Sequence, residues 1–126
     1  MLQLNKYLRE LGIDENYWLF KNAKNNDDNR YLPDEDGFVN AETFNLDATL
    51  SMVIYSYLCY FRDNCLVGHP GSMTFEKWKE IIDKMIEAFK LQIDLDSNID
   101  LPSKNRQKKI NYGMRLFIKY YNHLWW

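Results

Sequence analysis

Between Asn45 and Cys65 apolar side chains return every three to four residues, at Leu46, Leu50, Val53, Ile54, Tyr57, Leu58, Phe61 and Cys65. That is the period of a helix, and Met52, Tyr55 and Cys59 add apolar groups on its opposite side. A helix apolar nearly all round has to be wrapped by other elements. No stretch of the chain alternates apolar and polar residues convincingly, so the wrapping elements are expected to be helices as well. The charge-free part of the segment, Ala48 to Phe61, contains Thr49, Ser51 and Ser56 and is 14 residues long, too short and too polar to span a bilayer.

The rest of the chain divides around this segment. Leu2, Leu4, Tyr7, Leu8 and Leu11 followed by Gly12 predict a short first helix with a glycine stop, and Tyr17 to Phe20 a further turn. Residues 21–36 are polar and hold a cluster of Asn and Asp with Pro33, the composition of a loop. A small hairpin near Tyr31–Asn40 is the alternative there. After Gly68-His69-Pro70-Gly71, Thr74 is placed to cap a helix, with Met73 and Trp78 at stapling positions. Its apolar stripe is Phe75, Trp78, Ile81, Ile82, Met85, Ile86 and Phe89. A loop over about 92–102 leads to Ser103, a candidate N-cap, and a last helix with Ile110, Gly113, Met114, Phe117, Tyr121 and Leu124 on its core side. With 126 residues the expectation is one all-α domain, residues 1–126: a compact bundle of four to five helices around a central apolar helix at about 45–65.

Reactive side chains are sparse. Cys59 and Cys65, six residues apart on one helix, point about 240° apart and can neither share a metal ion nor form a disulfide with each other. His69 lies in a turn and His123 near the end of the last helix, neither with a ligand at helical spacing. The acidic runs Asp34-Glu35-Asp36-Gly37 and Asp94-Leu95-Asp96-Ser97-Asn98 do not fit a calcium loop, whose ligands and glycine need fixed positions. There is no glycine-rich phosphate loop and no nucleophile elbow. The expectation is a non-enzyme with no cofactor and no metal. The first residues, Met1 to Lys6, do not read as a secretory signal, and the expected location is the cytoplasm.

The formal net charge of −2 hides segregation: residues 1–100 carry 10 Lys/Arg against 18 Asp/Glu, and residues 101–126 carry 6 Lys/Arg and no acid. On a helical wheel Lys104, Lys108, Arg115 and Lys119 fall within about 60°, a basic stripe opposite the core side of the last helix. It reads either as a solvated face or as a contact for nucleic acid or an acidic partner. Twenty aromatics are many for so small a core, and Trp125-Trp126 either closes a seam or anchors an interface. The candidate partner-binding residues are therefore Lys104, Lys108, Arg115, Lys119, Trp125 and Trp126.

Several motifs lie in order along the chain: Gly37-Phe38 with Glu42 and Phe44; Leu46-Asp47 and Thr49-Leu50; Gly68-His69-Pro70; Thr74 and Trp78. They continue with Ile82-Asp83-Lys84-Met85-Ile86, Ala88-Phe89, Gly113, Leu116-Phe117, Lys119-Tyr120-Tyr121 and Leu124-Trp125. Together, over about residues 37–125, they resemble an uncharacterised family of small accessory proteins of tailed bacteriophages, most specifically in Trp78 to Phe89. Phe44, His69 and Trp126 depart from that family's pattern, and most matching positions read as core. Asp47 and Asp83 are the exceptions, read as caps or ion-pair partners. The resemblance implies a setting, an infected bacterial cell, and no mechanism.

In that setting the expected function is that of a non-enzymatic inhibitor. It would bind a host protein or ribonucleoprotein, an antiviral defence effector such as a CRISPR nuclease, through charged surfaces and exposed aromatics. The alternatives are a sink for a nucleotide signal and a weak nucleic-acid binder through the basic last helix.

Overall fold

The computed structural model describes residues 2–24, 27–93 and 103–126. Among them five helices appear in chain order: α1 (Lys6–Glu10), α2 (Trp18–Ala23), α3 (Leu46–Asn64), α4 (Phe75–Gln92) and α5 (Ser103–Tyr120). Short 3-10 turns lie at Asn29–Tyr31, Asn40–Thr43 and Tyr121–His123. The chain is an all-α bundle. The Asp94–Asn98 run, Asn25, Asn26 and the chain as far as Pro102 lie outside the described residues, as does the side chain of Ser103.

α1 begins later than its leucines suggest, because the Asn5 side chain accepts from the backbone N–H groups of Tyr7 and Leu8, both at 3.1 Å. It stops where glycine was expected to stop it. Gly12, at φ +90°, donates to Arg9 O while Ile13 donates to Leu8 O, which satisfies the last carbonyls and seats Ile13 against the core. The polar stretch after Phe20 remains helical to Ala23, held by rings at its start: Tyr17 meets Trp18 and Phe20, and Trp18 stands edge-on to Tyr31. The hairpin near Tyr31–Asn40 is reduced to one antiparallel bridge, Pro33 to Val39. The turn it closes is held by the Asp34 carboxylate, which accepts from the N–H groups of Asp36 and Phe38.

α4 sits between α3 and α5. Thr74 caps it, accepting from Lys77 N at 3.1 Å, and Trp78, Ile81, Ile82, Met85, Ile86 and Phe89 are buried as the wheel requires. Phe75, in the first turn, is instead exposed. α5 runs antiparallel to α4: Trp78 meets Tyr120, Phe89 meets Phe117 edge to face, and Lys109 reaches Glu87 at 3.2 Å. At Gly113 the two helices approach so closely that a Cβ would overlap Ala88 Cβ and the Lys84 carbonyl. Tyr121, expected in the α5 stripe, lies exposed because the helix ends at Tyr120 and the chain tightens into a 3-10 turn.

The largest difference from the sequence pattern lies on α3. Its buried residues are Ala48, Thr49, Ser51, Met52, Tyr55, Ser56, Leu58 and Cys59. Of the large side chains in the stripe that looked like the core face only Leu58 is fully buried: Leu46, Leu50 and Tyr57 are exposed, and Val53, Ile54 and Phe61 are half-buried against the core. The small polar residues can face inward because each finds a partner on the helix or beside it. Ser51 and Ser56 donate to carbonyls one turn back, and Thr49 donates to Glu42 O.

Candidate functional site

The uncovered side of α3 is the floor of a groove of about 1340 Å³. Leu46, Leu50, Val53, Tyr57 and Tyr60 line it along roughly 21 Å of helix, with Phe38 opposite. One wall is the chain around Leu2 to Tyr7 and the other runs from Asn29 to Thr43. Hydrogen bonds hold these walls in place. Glu42 accepts from Leu2 N at 2.6 Å, Asn5 Nδ2 donates to Ser56 Oγ at 3.0 Å, and Thr49 ties the Asn40–Thr43 turn to α3. The groove is thus a built feature with a polar frame and an open apolar floor. Tyr57 is 72% exposed and Phe38 74%, large areas for side chains of that size.

The rim is acidic. Asp34 and Glu42 line the groove against one cation, Lys6, whose ammonium lies over the Tyr7 ring. Glu35 and Asp36 continue the Asp34 turn, and Asp47 stands in the first turn of α3. Among the described residues none of Asp34, Glu35, Asp36 and Asp47 is in an ion pair. Asp47 was expected to cap or to pair; it does neither with its carboxylate, and its contribution is a negative charge at the helix N-terminus. Asp83 does pair, accepting from Arg62 at 3.2 Å.

Beyond the Asn64 end of the groove a polar chain joins three helices. Tyr7 Oη donates to Asp63 at 2.9 Å, Arg62 binds the other Asp63 oxygen at 2.9 Å, and Arg62 also reaches Asp83. Burial, and then the Asp63 carboxylate, push the Tyr7 phenol up to about 12. The Arg62 guanidinium holds Asp63 below the usual carboxylate range. At neutral pH the phenol is neutral and the carboxylate charged, a fixed clamp between α1, α3 and α4. Cys59 and Cys65 are free, and burial pushes the Cys59 thiol up, away from the thiolate that reactivity needs. His69 Nδ1 lies 2.9 Å from the Pro70 carbonyl and His123 packs near the Tyr120 ring. Among the described residues no group of three His, Cys, Asp or Glu is placed to hold a metal ion, and no helix is long and apolar enough to cross a membrane.

The residues singled out on the last helix occupy a second surface. Lys104, Lys108, Arg115 and Lys119 are all exposed, and among the described residues none of them is in an ion pair; Lys119 lies over the Tyr120 ring. Lys109, outside the stripe, is the cation that pairs with α4. Trp125 and Trp126 are 74% and 75% exposed, so neither closes a seam. Sequence reasoning passed over Tyr112 and Ile118, which flank the basic stripe on the wheel and are exposed. It also passed over the groove, because the residues of its floor have the spacing of a core stripe. Phe38, Leu46 and Leu50, motif positions read as core, are exposed and line it, and Phe44, which departs from the motif, is exposed as well.

Fold and surfaces together define an all-α protein with two solvent-facing features, an apolar groove with an acidic rim and a basic, aromatic helix face. No protein-family model, curated protein or solved structure matches the chain.

Proposed function

We propose that the protein is a non-enzymatic binder that holds a segment of a macromolecular partner in the α3 groove. The observation that carries this is the row of large apolar side chains left open along α3, Leu46, Leu50, Tyr57 and Tyr60, with Phe38 facing them. Small-molecule pockets are concave, close round the ligand and measure about 300–1,000 Å³. This groove is longer, open and larger, the shape of a site for a chain segment. Phage-like motifs imply the partner's class, a host protein or ribonucleoprotein of antiviral defence such as a CRISPR nuclease, inhibited by occupation.

The test is a pull-down with the tagged chain from bacterial lysate, with and without nuclease, repeated with Tyr57→Asp and with Lys108→Glu/Arg115→Glu. A single partner retained after nuclease, lost by the first variant and kept by the second, is the expected result. Titration of that partner then gives inhibition that saturates at one to one; saturation far below that ratio refutes occupation and points to turnover.

A second reading rests on the exposed stripe Lys104, Lys108, Arg115 and Lys119, which suits a phosphate backbone. It predicts recovery of nucleic acid that falls steeply with salt and disappears in Lys108→Glu/Arg115→Glu. The nucleotide-sink alternative has less support, since Asp34 and Glu42 repel an anion and Lys6 alone attracts it. Titration calorimetry against a panel of cyclic nucleotides is expected to show no heat.

A further inference from the structure

The two exposed surfaces of this chain complement each other, and we infer that the α3 groove of one copy takes the outward face of α5 of a second copy. The inference rests on the groove being a binding surface, and it names an occupant that needs no host partner. The charge argument is direct. Residues 1–100 hold all 18 acids; Asp34 and Glu42 line the groove against Lys6, and Glu35, Asp36 and Asp47, close in the chain to lining residues, are outside any ion pair among the described residues. Residues 101–126 hold no acid, and Lys104, Lys108, Arg115 and Lys119 form one stripe of α5. One copy brings what the rim of another lacks.

Shape and apolar content agree with charge. α5 has 18 residues and is roughly 27 Å long, enough to cover the roughly 21 Å of floor from Leu46 to Tyr60. Its outward face is basic and also apolar. Tyr112 and Ile118 flank the stripe, Ile118 at 76% exposed, and Trp125 and Trp126 follow the helix end. These are the residue types that anchor interfaces when set into an apolar pocket. A basic helix with no apolar flank would leave that floor wet, and an apolar helix with no cations would leave the rim unpaired. α5 supplies both.

Groove and helix are different surfaces of one chain, so the contact is heterologous and leaves one groove and one α5 unfilled until the assembly closes. A host segment competing for the groove would separate the copies.

The test is the mass of the full-length chain by sedimentation equilibrium over a concentration series, at low and at high salt. Expected is a concentration-dependent rise above the monomer mass, reduced by salt. Tyr57→Asp in the groove, and Lys108→Glu/Arg115→Glu with Ile118→Asp on α5, each lower the association constant at least about 100-fold. All the substituted positions are exposed, and circular dichroism checks that the fold is kept. The decisive step mixes the two variants. Each keeps the surface that the other has lost, so the mixture forms a one-to-one heterodimer and nothing larger. A wild-type chain that stays monomeric at both salts overturns the inference. So does a mixture that stays monomeric, or variants that associate like wild type. A groove-dependent host partner found alongside a strictly monomeric chain removes this inference and leaves the proposed function standing.

Discussion

Leu50 and Met52 stand two positions apart on α3 in opposite surroundings: Leu50 is 50% exposed and Met52 1%. Met52→Ala leaves a void among packed neighbours and is expected to cost about 2–5 kcal/mol. Burying a whole leucine contributes about 1.5–3 kcal/mol, so truncating one already half in water loses about 1 kcal/mol and opens no closed cavity. The ratio between the two substitutions is the quantity of interest, because both share the same helix and the same propensity change to within a few tenths of a kcal/mol. Urea unfolding followed by circular dichroism, at a dilution that keeps the chain monomeric, gives each change in stability from the midpoint shift at constant slope. If Leu50→Ala costs as much as Met52→Ala, the stripe of Leu46, Leu50 and Tyr57 is packed rather than open. The groove, and with it the proposed function, would then be wrong.

Other outcomes follow from single contacts. Gly113→Ala gains up to about 1 kcal/mol of helix propensity but drives a methyl into Ala88 and the Lys84 carbonyl. Backbone cannot yield, so α5 must shift, and a net loss of about 1–3 kcal/mol is expected in thermal unfolding; an unchanged or raised midpoint would refute the close approach. Thr74→Ala removes the cap on Lys77 N and is expected to cost about 1 kcal/mol, with Thr74→Asp retaining most of the stability. Asp63 is held low in the folded state, so its contribution is complete above about pH 4, the unfolded value, and is lost as pH falls through the folded one. Asp63→Asn should therefore flatten the acid limb of stability against pH, and an unaltered limb would argue against the Tyr7–Asp63–Arg62 clamp.

Periodicity located α3, α4 and α5 with little error because each has enough turns for the pattern to rise above chance, and the local devices at their ends are chemically explicit. Thr74 caps because its hydroxyl is at the one position that reaches Lys77 N, and Gly12 stops α1 because its φ of +90° suits glycine. Gly113 was legible as a member of the α5 stripe, though the pattern did not reveal that α4 approaches there. The wheel placed Lys104, Lys108, Arg115 and Lys119 opposite the core side of α5, and all four are exposed, as are Trp125 and Trp126. Tyr112 and Ile118 were missed because an apolar residue on a helix carries no local sign of which way it faces.

The same ambiguity decides α3. Its sequence determined that the segment is helical and that it carries apolar side chains on both sides, since both follow from side-chain spacing along one element. Which side would be covered depends on what arrives from elsewhere in the chain. α4 packs on the side of Met52, Tyr55 and Cys59, Asn5 and Glu42 pin the N-terminal segments beside Ser56 and Thr49, and Leu50 and Tyr57 are left to water. Helicity is a local property of the backbone, whereas burial is a relation between segments, and only the tertiary structure could turn an apparent core stripe into the floor of a groove.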